Sequence, residues 1–410
     1  GRVTPAPSME VFVVASKASK EIMKEINEKL LLRAIYESDG IDRASLAKMT
    51  GLSPATVTKV VGDLIEIGLV EETGVADSTG GRKPILLNVR PGKSCVLGLK
   101  IGVGYLDYSL TDLSGSVLAS ERKLMENTVP EEVVSATGEI LAKWSDLIGE
   151  RLLGIGIAVS GIVDSLRGVV KNSFLLDWKD VPIARMISAG CAAKTFVMND
   201  VDSFALAQFW KGNVDNHKNC VFITLGIGIG GAVAIDGKLH LTGAGSGEFG
   251  HMTIEHNGNL CTCGSRGCLE AHASFEALAR KLFSITASNE LKELYSSVRA
   301  TETSEIHFLK RALEIDRASA ESVFDQYATD IGIALKNLVN IFAPDYVLIG
   351  GEALEFSALF LEKSIDYAKK NAFSSLADAV KFDTDRIGEK AWTLGCIYRV
   401  IESELFTVGK

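Results

Sequence analysis

The 410-residue chain has no apolar stretch that is both long enough and free enough of charge to cross a bilayer, which argues against a helical membrane protein. The short run Val11 to Ala15 lacks the anatomy of a secretory signal, so a cytoplasmic protein is expected. Basic residues are not in excess: 43 Lys and Arg face 52 Asp and Glu, for a net charge of -9. Any nucleic-acid contact must then come from one local face. Evenly distributed, pairable cysteines are also missing. Of seven, Cys261, Cys263 and Cys268 crowd together while Cys95, Cys191, Cys220 and Cys396 lie scattered in apolar contexts, which points to metal and core rather than disulfides. With 47% hydrophobic and 23% charged residues the chain is globular, and its length exceeds what one core usually organises. Gly1 to Ser8 carry two prolines and no periodic pattern, and residues 1–18 are read as a tail.

Residues 19–92 read as a helical module with a β wing. From Ser19 to Tyr36, Ile22, Ile26, Leu30 and Ala34 recur at helical spacing, and the pattern stops at Asp39-Gly40. A second helix runs from Arg43 to Met49 and ends at Thr50-Gly51. A third starts at Ser53-Pro54, with serine as N-cap and proline at the first helical position. Its expected buried stripe is Val57, Val60, Val61, Leu64 and Ile65, which turns Ser53, Ala55, Thr56, Thr58 and Lys59 to solvent. Short, polar and basic side chains near a helix N-terminus suit approach to base edges and phosphates. Leu69 to Glu72 and Ile85 to Val89 would form the wing strands, joined by a loop containing Gly80-Gly81-Arg82-Lys83-Pro84. Arginine on such a loop suits a narrow minor groove. Candidate DNA contacts are therefore Ser53, Thr56, Thr58, Lys59, Arg82 and Lys83. The competing reading is a protein-docking domain with a solvated basic loop.

Beyond Pro91-Gly92 strands alternate with helices. A meander of three strands, from Val96, Leu106 and Val117, precedes a helix predicted over Pro130 to Leu147, the buried strand Leu153 to Val159, a helix near Ile183 to Ala189 and the strand Thr195 to Met198. A second set begins at Val221 and Gly231 and resumes, after several helices, at Tyr346 to Ile349. Two α/β lobes follow, 93–200 and 201–410, with the C-terminal helix returning to the first. Within the second, Cys261-x-Cys263-x4-Cys268 and one imidazole, His251 or His256, supply the four donors of a closed structural zinc site. Gly264 and Gly267 permit the tight reversal this needs. Three buried free thiols are the alternative.

The chain resembles the ROK proteins, named for repressors, open reading frames and sugar kinases. The resemblance spans nearly all of it and rests on Gly156-Ile-Ala-Val-Ser-Gly161-Ile-Val-Asp, Asn199-Asp200, Leu225-Gly-Ile-Gly-Ile-Gly-Gly231, Gly247-Glu-Phe-Gly-His251, Cys261-Thr-Cys-Gly-Ser-Arg-Gly-Cys-Leu-Glu270 and Ile349-Gly-Gly351. It implies a two-lobed actin-like or hexokinase-like fold of the ribonuclease H type, preceded here by a winged helix-turn-helix. It assigns zinc to His251, Cys261, Cys263 and Cys268, and sugar hydroxyls to Gly161, Asn199, Asp200, Glu248, His251 and Glu270. Ionised carboxylates accept hydrogen bonds from vicinal hydroxyls, so a sugar lacking one leaves a buried acceptor unpaired.

In the family's kinases Asp200 would be the general base, with magnesium and glycine turns holding ATP. Those turns correspond to Gly102, Gly226, Gly228, Gly230, Gly350 and Gly351. This chain departs from the kinases in reading Lys100-Ile-Gly-Val-Gly104 where they carry Asp-x-Gly-Gly-Thr, and in placing Ile227 where threonine is usual. An ammonium group repels magnesium. With Gly81-Arg-Lys-Pro after the helical module, the resemblance is to the repressor branch, whose members sense a sugar or a partner protein and release DNA. The expectation is a sugar-responsive repressor of carbohydrate-utilisation genes, a homodimer or dimer of dimers on a double-stranded palindromic operator, with structural zinc. The alternative is an active sugar kinase, a glucokinase or N-acetylhexosamine kinase, using ATP and magnesium.

Overall fold

The structure, a computed structural model, describes residues 20–38, 40–75, 84–212, 214, 217–241, 245, 247–301 and 305–408. They divide into two units, Gly1–Ser94 with Ile401–Lys410, and Cys95–Val400.

In the first unit, helices Lys20–Tyr36, Arg43–Thr50 and Pro54–Glu66 begin and end where local chemistry dictates. Asp42 accepts the backbone N–H groups of Ala44 and Ser45 at 2.8 and 3.1 Å, and Gly51, at φ +70°, closes the second helix. Ser53 Oγ accepts from Thr56 N–H at 3.1 Å, with Pro54 at the first helical position. Each such cap is worth about 1 kcal/mol. Leu31, Ile35, Leu46, Val57, Val61, Leu64, Val70 and Leu87 are buried in this unit. The first helix buries only part of the stripe that its spacing suggests: Ala34 is buried, but Ile22, Ile26 and Leu30 are 46%, 37% and 41% exposed, and Leu31, Leu32 and Ile35 are buried in their place. Both sets satisfy a 3.6-residue period, so only tertiary packing can choose between them. Strands Val70–Val75 and Ile85–Val89 pair antiparallel, and Ile41 bridges to Leu87. The chain end, placed by the sequence in the second lobe, clusters with this unit, where Phe406 meets the edge of Tyr36 at 5.1 Å.

The second unit contains two five-stranded sheets of the same plan. One runs in the order Val117–Leu124, Tyr105–Asp112, Cys95–Gly102, Leu152–Val159, Thr195–Asn199. The other runs Lys238–Leu239, Ile229–Ile235, Cys220–Leu225, Tyr346–Gly350, Lys381–Thr384. In each, three antiparallel strands are extended by two parallel ones. This repeated order is the two-lobed architecture implied by the resemblance. Periodicity alone missed the short strands Lys238–Leu239 and Lys381–Thr384 and a three-stranded sheet of Ile162–Asp164, Val169–Ser173 and Trp178–Val181. Strands of two to five residues contain too few alternations to register. The helix predicted over Pro130 to Leu147 ends at Lys143, and Ser145–Ile148 forms a separate turn after the buried Trp144.

Helix Ala391–Ile401 lies close against the first sheet, where any side chain on Gly98 or Gly156 would overlap the carbonyls of Thr393 and Cys396. Glycine here serves close helix–strand approach. Among the described residues, no helix is long and apolar enough to cross a membrane.

Candidate functional site

The 3-10 turn Phe249–His251 and the loop leading into helix Leu269–Ala273 bring four donors together. His251, Cys261, Cys263 and Cys268 each offer an atom within 4.8 Å of the others, and His256 is not among them. His251 Nδ1 lies 3.6 Å from Cys261 Sγ, and Cys263 Sγ lies 3.7 Å from Cys268 Sγ. A tetrahedral zinc ion, with sulfur at about 2.3 Å and nitrogen at about 2.0–2.1 Å, sets N···S and S···S edges of roughly 3.6 and 3.8 Å. The donor set therefore matches that ion in type, number and separation, and four protein donors leave no position for a reactive water. With Nδ1 facing the sulfurs, metal binding would fix the proton on Nε2 and turn a rigid N–H donor outward.

The loop reaches this shape through Gly264 and Gly267, at φ +88° and +77°, with Cys261 N–H donating to Ser265 O at 2.8 Å and Gly264 N–H to Cys261 O at 2.9 Å. The Ser265 backbone N–H draws the Cys263 thiol below its ordinary range, favouring the thiolate that a metal requires.

Asn199 caps helix Asp200–Lys211, accepting from the N–H groups of Val201 and Asp202 at 2.8 and 3.2 Å, while its Nδ2 donates to Gly161 O at 2.9 Å. Both ends of its carboxamide thus hold the Gly161 turn to the helix. Asp200 is the first helical residue and not the cap. Its carboxyl is raised by burial, an effect the Lys100 ammonium opposes. Glu248 is raised by burial too, with His251 opposing and Asp200 and Glu270 reinforcing. Asp200 and Glu270 thus lie close enough to Glu248 for their charges to act on it. Glu270 is half committed, since its Oε2 accepts Ile229 N–H at 3.1 Å. A cavity of about 560 Å³ opens beside Glu248 and His251, walled by Phe249, Met252, Leu338 and Phe342.

Sequence reasoning passed over Asp202, although two acids in Asn199-Asp-Val-Asp202 were a visible signal. It is 9% exposed, and its Oδ1 has no hydrogen-bond partner among the described residues. Burial, then Asp200 and Glu248, push its carboxyl up to about 7.

The glycine turns proposed for nucleotide each pack against other parts of the chain. Gly102 stands across its hairpin from Tyr105, whose ring covers the place a side chain would take. Gly230 faces Val201, Gly350 faces Phe204 and Gly351, at φ +94°, faces the Leu225 backbone. The carboxylate of Glu352 lies over Gly226, and that of Glu270 lies beside Gly228. Glu352 directly follows the Gly350-Gly351 pair, a signal the sequence reading did not use. Lys100 holds its ammonium 4.1 Å from the centre of the Trp392 ring, where the kinases place a carboxylate. A triphosphate would meet anionic side chains at the turns meant to cradle it and find no carboxylate at position 100 to organise magnesium, so these residues do not fit magnesium-ATP. Isothermal titration with magnesium-ATP is expected to show no saturation below about 1 mM, and saturation in the micromolar range would reverse this reading.

On the third helix of the first unit, Thr58 and Lys59 are exposed, and Lys59 has no partner among the described residues. Ser53 is engaged in capping, Thr56 Oγ1 lies 2.9 Å from Ser53 Oγ, and Thr58 Oγ1 donates to Pro54 O at 2.8 Å. Arg82 and Lys83 lie outside the described residues.

The ROK family profile matches residues 96–402, and a winged helix-turn-helix DNA-binding profile matches residues 24–71. A xylose repressor from Caldicellulosiruptor bescii is 31% identical over 389 residues, spanning 94% of this chain and 97% of its own length. The crystal structure of a ROK family transcriptional regulator, a homolog of the E. coli MLC protein, superposes with a TM-score of 0.79 at 25% identity, over 94% of this chain and 97% of that one. A ROK family glucokinase from Streptomyces griseus, solved with glucose and AMPPNP, superposes with a TM-score of 0.62 at 25% identity, over 99% of its length but 75% of this chain. Carrying both the lobes of that kinase and the additional N-terminal module of the regulators, the chain belongs to the ROK family.

Proposed function

We propose that this protein is a sugar-responsive transcriptional repressor that binds an operator through its winged module and releases it when a sugar occupies the acidic cleft. The observation that carries this reading is a contrast within the kinase-like unit: Glu248 has Asp200 and Glu270 close enough to act on its charge, whereas Tyr105 packs on Gly102 and the carboxylates of Glu352 and Glu270 lie beside Gly226 and Gly228, the turns a nucleotide would need. A site that retains polyol acceptors but not phosphate donors binds without transferring. That relatives such as the xylose repressor carry a sugar's name supports a sugar as the effector.

Zinc on His251, Cys261, Cys263 and Cys268 would supply no chemistry of its own. It would hold the loop between Glu248 and Glu270 so that the His251 Nε2–H and these carboxylates meet one ligand. Release follows from differential affinity: a sugar that binds the DNA-free state more tightly shifts the population towards it. A homodimer on a palindromic operator suits a recognition helix of this kind.

The test is a gel-shift titration at several salt concentrations, with and without a panel of monosaccharides including xylose and glucose. Operator affinity is expected to fall steeply with salt and to drop about tenfold or more with one sugar, a coupling of roughly 1.4 kcal/mol. Lys59→Ala should weaken binding across sequences and reduce the salt slope by about 1. Operator affinity indifferent to every sugar would sink the proposal.

A further inference from the structure

Helix Leu269–Ala273 carries Glu270 towards the glycine loop, and two residues on it places His272, which neither the metal set nor the acidic cleft uses. His272 is 6% exposed. Its Nε2 accepts the backbone N–H of Asn259 at 3.1 Å, and its Nδ1 lies 3.4 Å from Glu255 Oε2. An imidazole nitrogen that accepts from an N–H group carries no proton, so the proton is on Nδ1 and points to the carboxylate. The contact is reinforced from the other side, where Asn259 Nδ2 donates to Ala271 O at 3.2 Å. Asn259 O in turn accepts Gly267 N–H at 2.9 Å, one residue before Cys268. Gly258 has no room for a side chain because the His272 ring occupies that space. One ring thus ties the start of the metal loop to the helix that bears Glu270, and Asn259 O holds the Gly267 end to that start.

We infer that His272 is the positioning residue that couples the metal loop to the sugar-facing helix. It touches neither ion nor ligand. It holds the Asn259 to Cys268 segment in the register that brings Cys261, Cys263 and Cys268 to one point, and it fixes the same segment to the helix that carries Glu270. The signal was present in the sequence as Leu269-Glu-Ala-His272, but only the fold shows what the imidazole reaches.

The inference rests on the zinc reading, and the experiment separates the two. Zinc per chain is measured on the wild type, and its release to a chromophoric chelator is timed for wild type, His272→Leu, His272→Gln and Glu255→Ala. Loss of an outer-shell partner of this kind weakens metal binding by about 10- to 100-fold. The leucine variant is expected to release zinc faster by that order, the glutamine variant, which keeps an acceptor near the Nε2 position, to recover most of the difference, and Glu255→Ala to fall between. Cobalt substitution adds a spectroscopic check, since distorted coordination alters the absorption bands of a tetrahedral site whereas a general loss of stability does not. Wild type lacking zinc would overturn the metal reading. Zinc-loaded wild type with a leucine variant just as retentive, or with leucine and glutamine variants equally leaky, would overturn the role given to His272. Should His272→Leu fail to fold, zinc release by Glu255→Ala faster than by wild type and His272→Gln would support the role, and wild-type retention by Glu255→Ala, or release by His272→Gln as fast as by Glu255→Ala, would overturn it.

Discussion

Cys268→Ser is expected to abolish stoichiometric zinc and, with it, the response to sugar. Cys268 is fully buried and opens helix Leu269–Ala273, so its sulfur ties the ion directly to the element carrying Glu270. Serine is a weaker zinc ligand than thiolate and leaves a buried hydroxyl in its place. Structural zinc contributes about 10–16 kcal/mol to isolated finger peptides, which have little else to hold them; in a unit with its own core, loss of the ion should cost a fraction of that, on the order of 3–4 kcal/mol. At about 2–4 °C per kcal/mol for a large domain, the transition of the Cys95–Val400 unit should fall by about 10 °C. Metal analysis and differential scanning calorimetry check both parts. Operator binding in the absence of sugar should persist, because the winged module has its own core. A Cys268→Ser protein that keeps one zinc and responds to sugar would refute the role of the loop as scaffold.

Asp202→Asn should stabilise the protein at neutral and alkaline pH and leave it unchanged near pH 4. The sign follows from the shift. The folded-state pKa is raised from 3.8 to about 7, so below about pH 4 the carboxyl is protonated in both states and exacts no penalty. As pH rises from about 4 to 7 the unfolded chain ionises while the folded one holds its proton, and stability falls. Above 7 both are ionised and the loss is complete. With about 1.4 kcal/mol per unit, the full loss is on the order of 4 kcal/mol. Asparagine does not titrate, so the wild-type-minus-variant difference in denaturant midpoint should open through that window and level off above it. Neutralising position 202 also removes repulsion from Asp200 and Glu248, the two carboxylates that reinforce the shift. A variant less stable than wild type at pH 8 would show that the ionised carboxylate is a favourable contact.

Sequence and structure agree best where chemistry is local. Ser53 and Pro54 start their helix, Gly51 ends the one before, and Cys261, Cys263, Cys268 and His251 stand at tetrahedral separations. Elsewhere a residue type can serve two masters, and the sequence does not say which. Asn199 was assigned to sugar and is used at both ends as a cap and a tie to Gly161. Of the glycines assigned to phosphate, Gly102, Gly230 and Gly350 have Tyr105, Val201 and Phe204 against the place a side chain would take. A glycine in a turn looks the same in sequence whether a ligand or a ring approaches it.

By itself, the sequence determined the order of modules, the capped helices of the winged unit, the metal donors and the departures at Lys100 and Ile227. Each is set by neighbours within a turn or two, or by donor chemistry that few other arrangements satisfy. Only the tertiary structure decided which face of the first helix is buried, that Asp202 is an unpartnered acid among others, that Glu352 lies over Gly226 and that His272 fastens the metal loop. Those facts depend on desolvation and on contacts between residues tens to hundreds of positions apart, and neither quantity is written in any short stretch of chain.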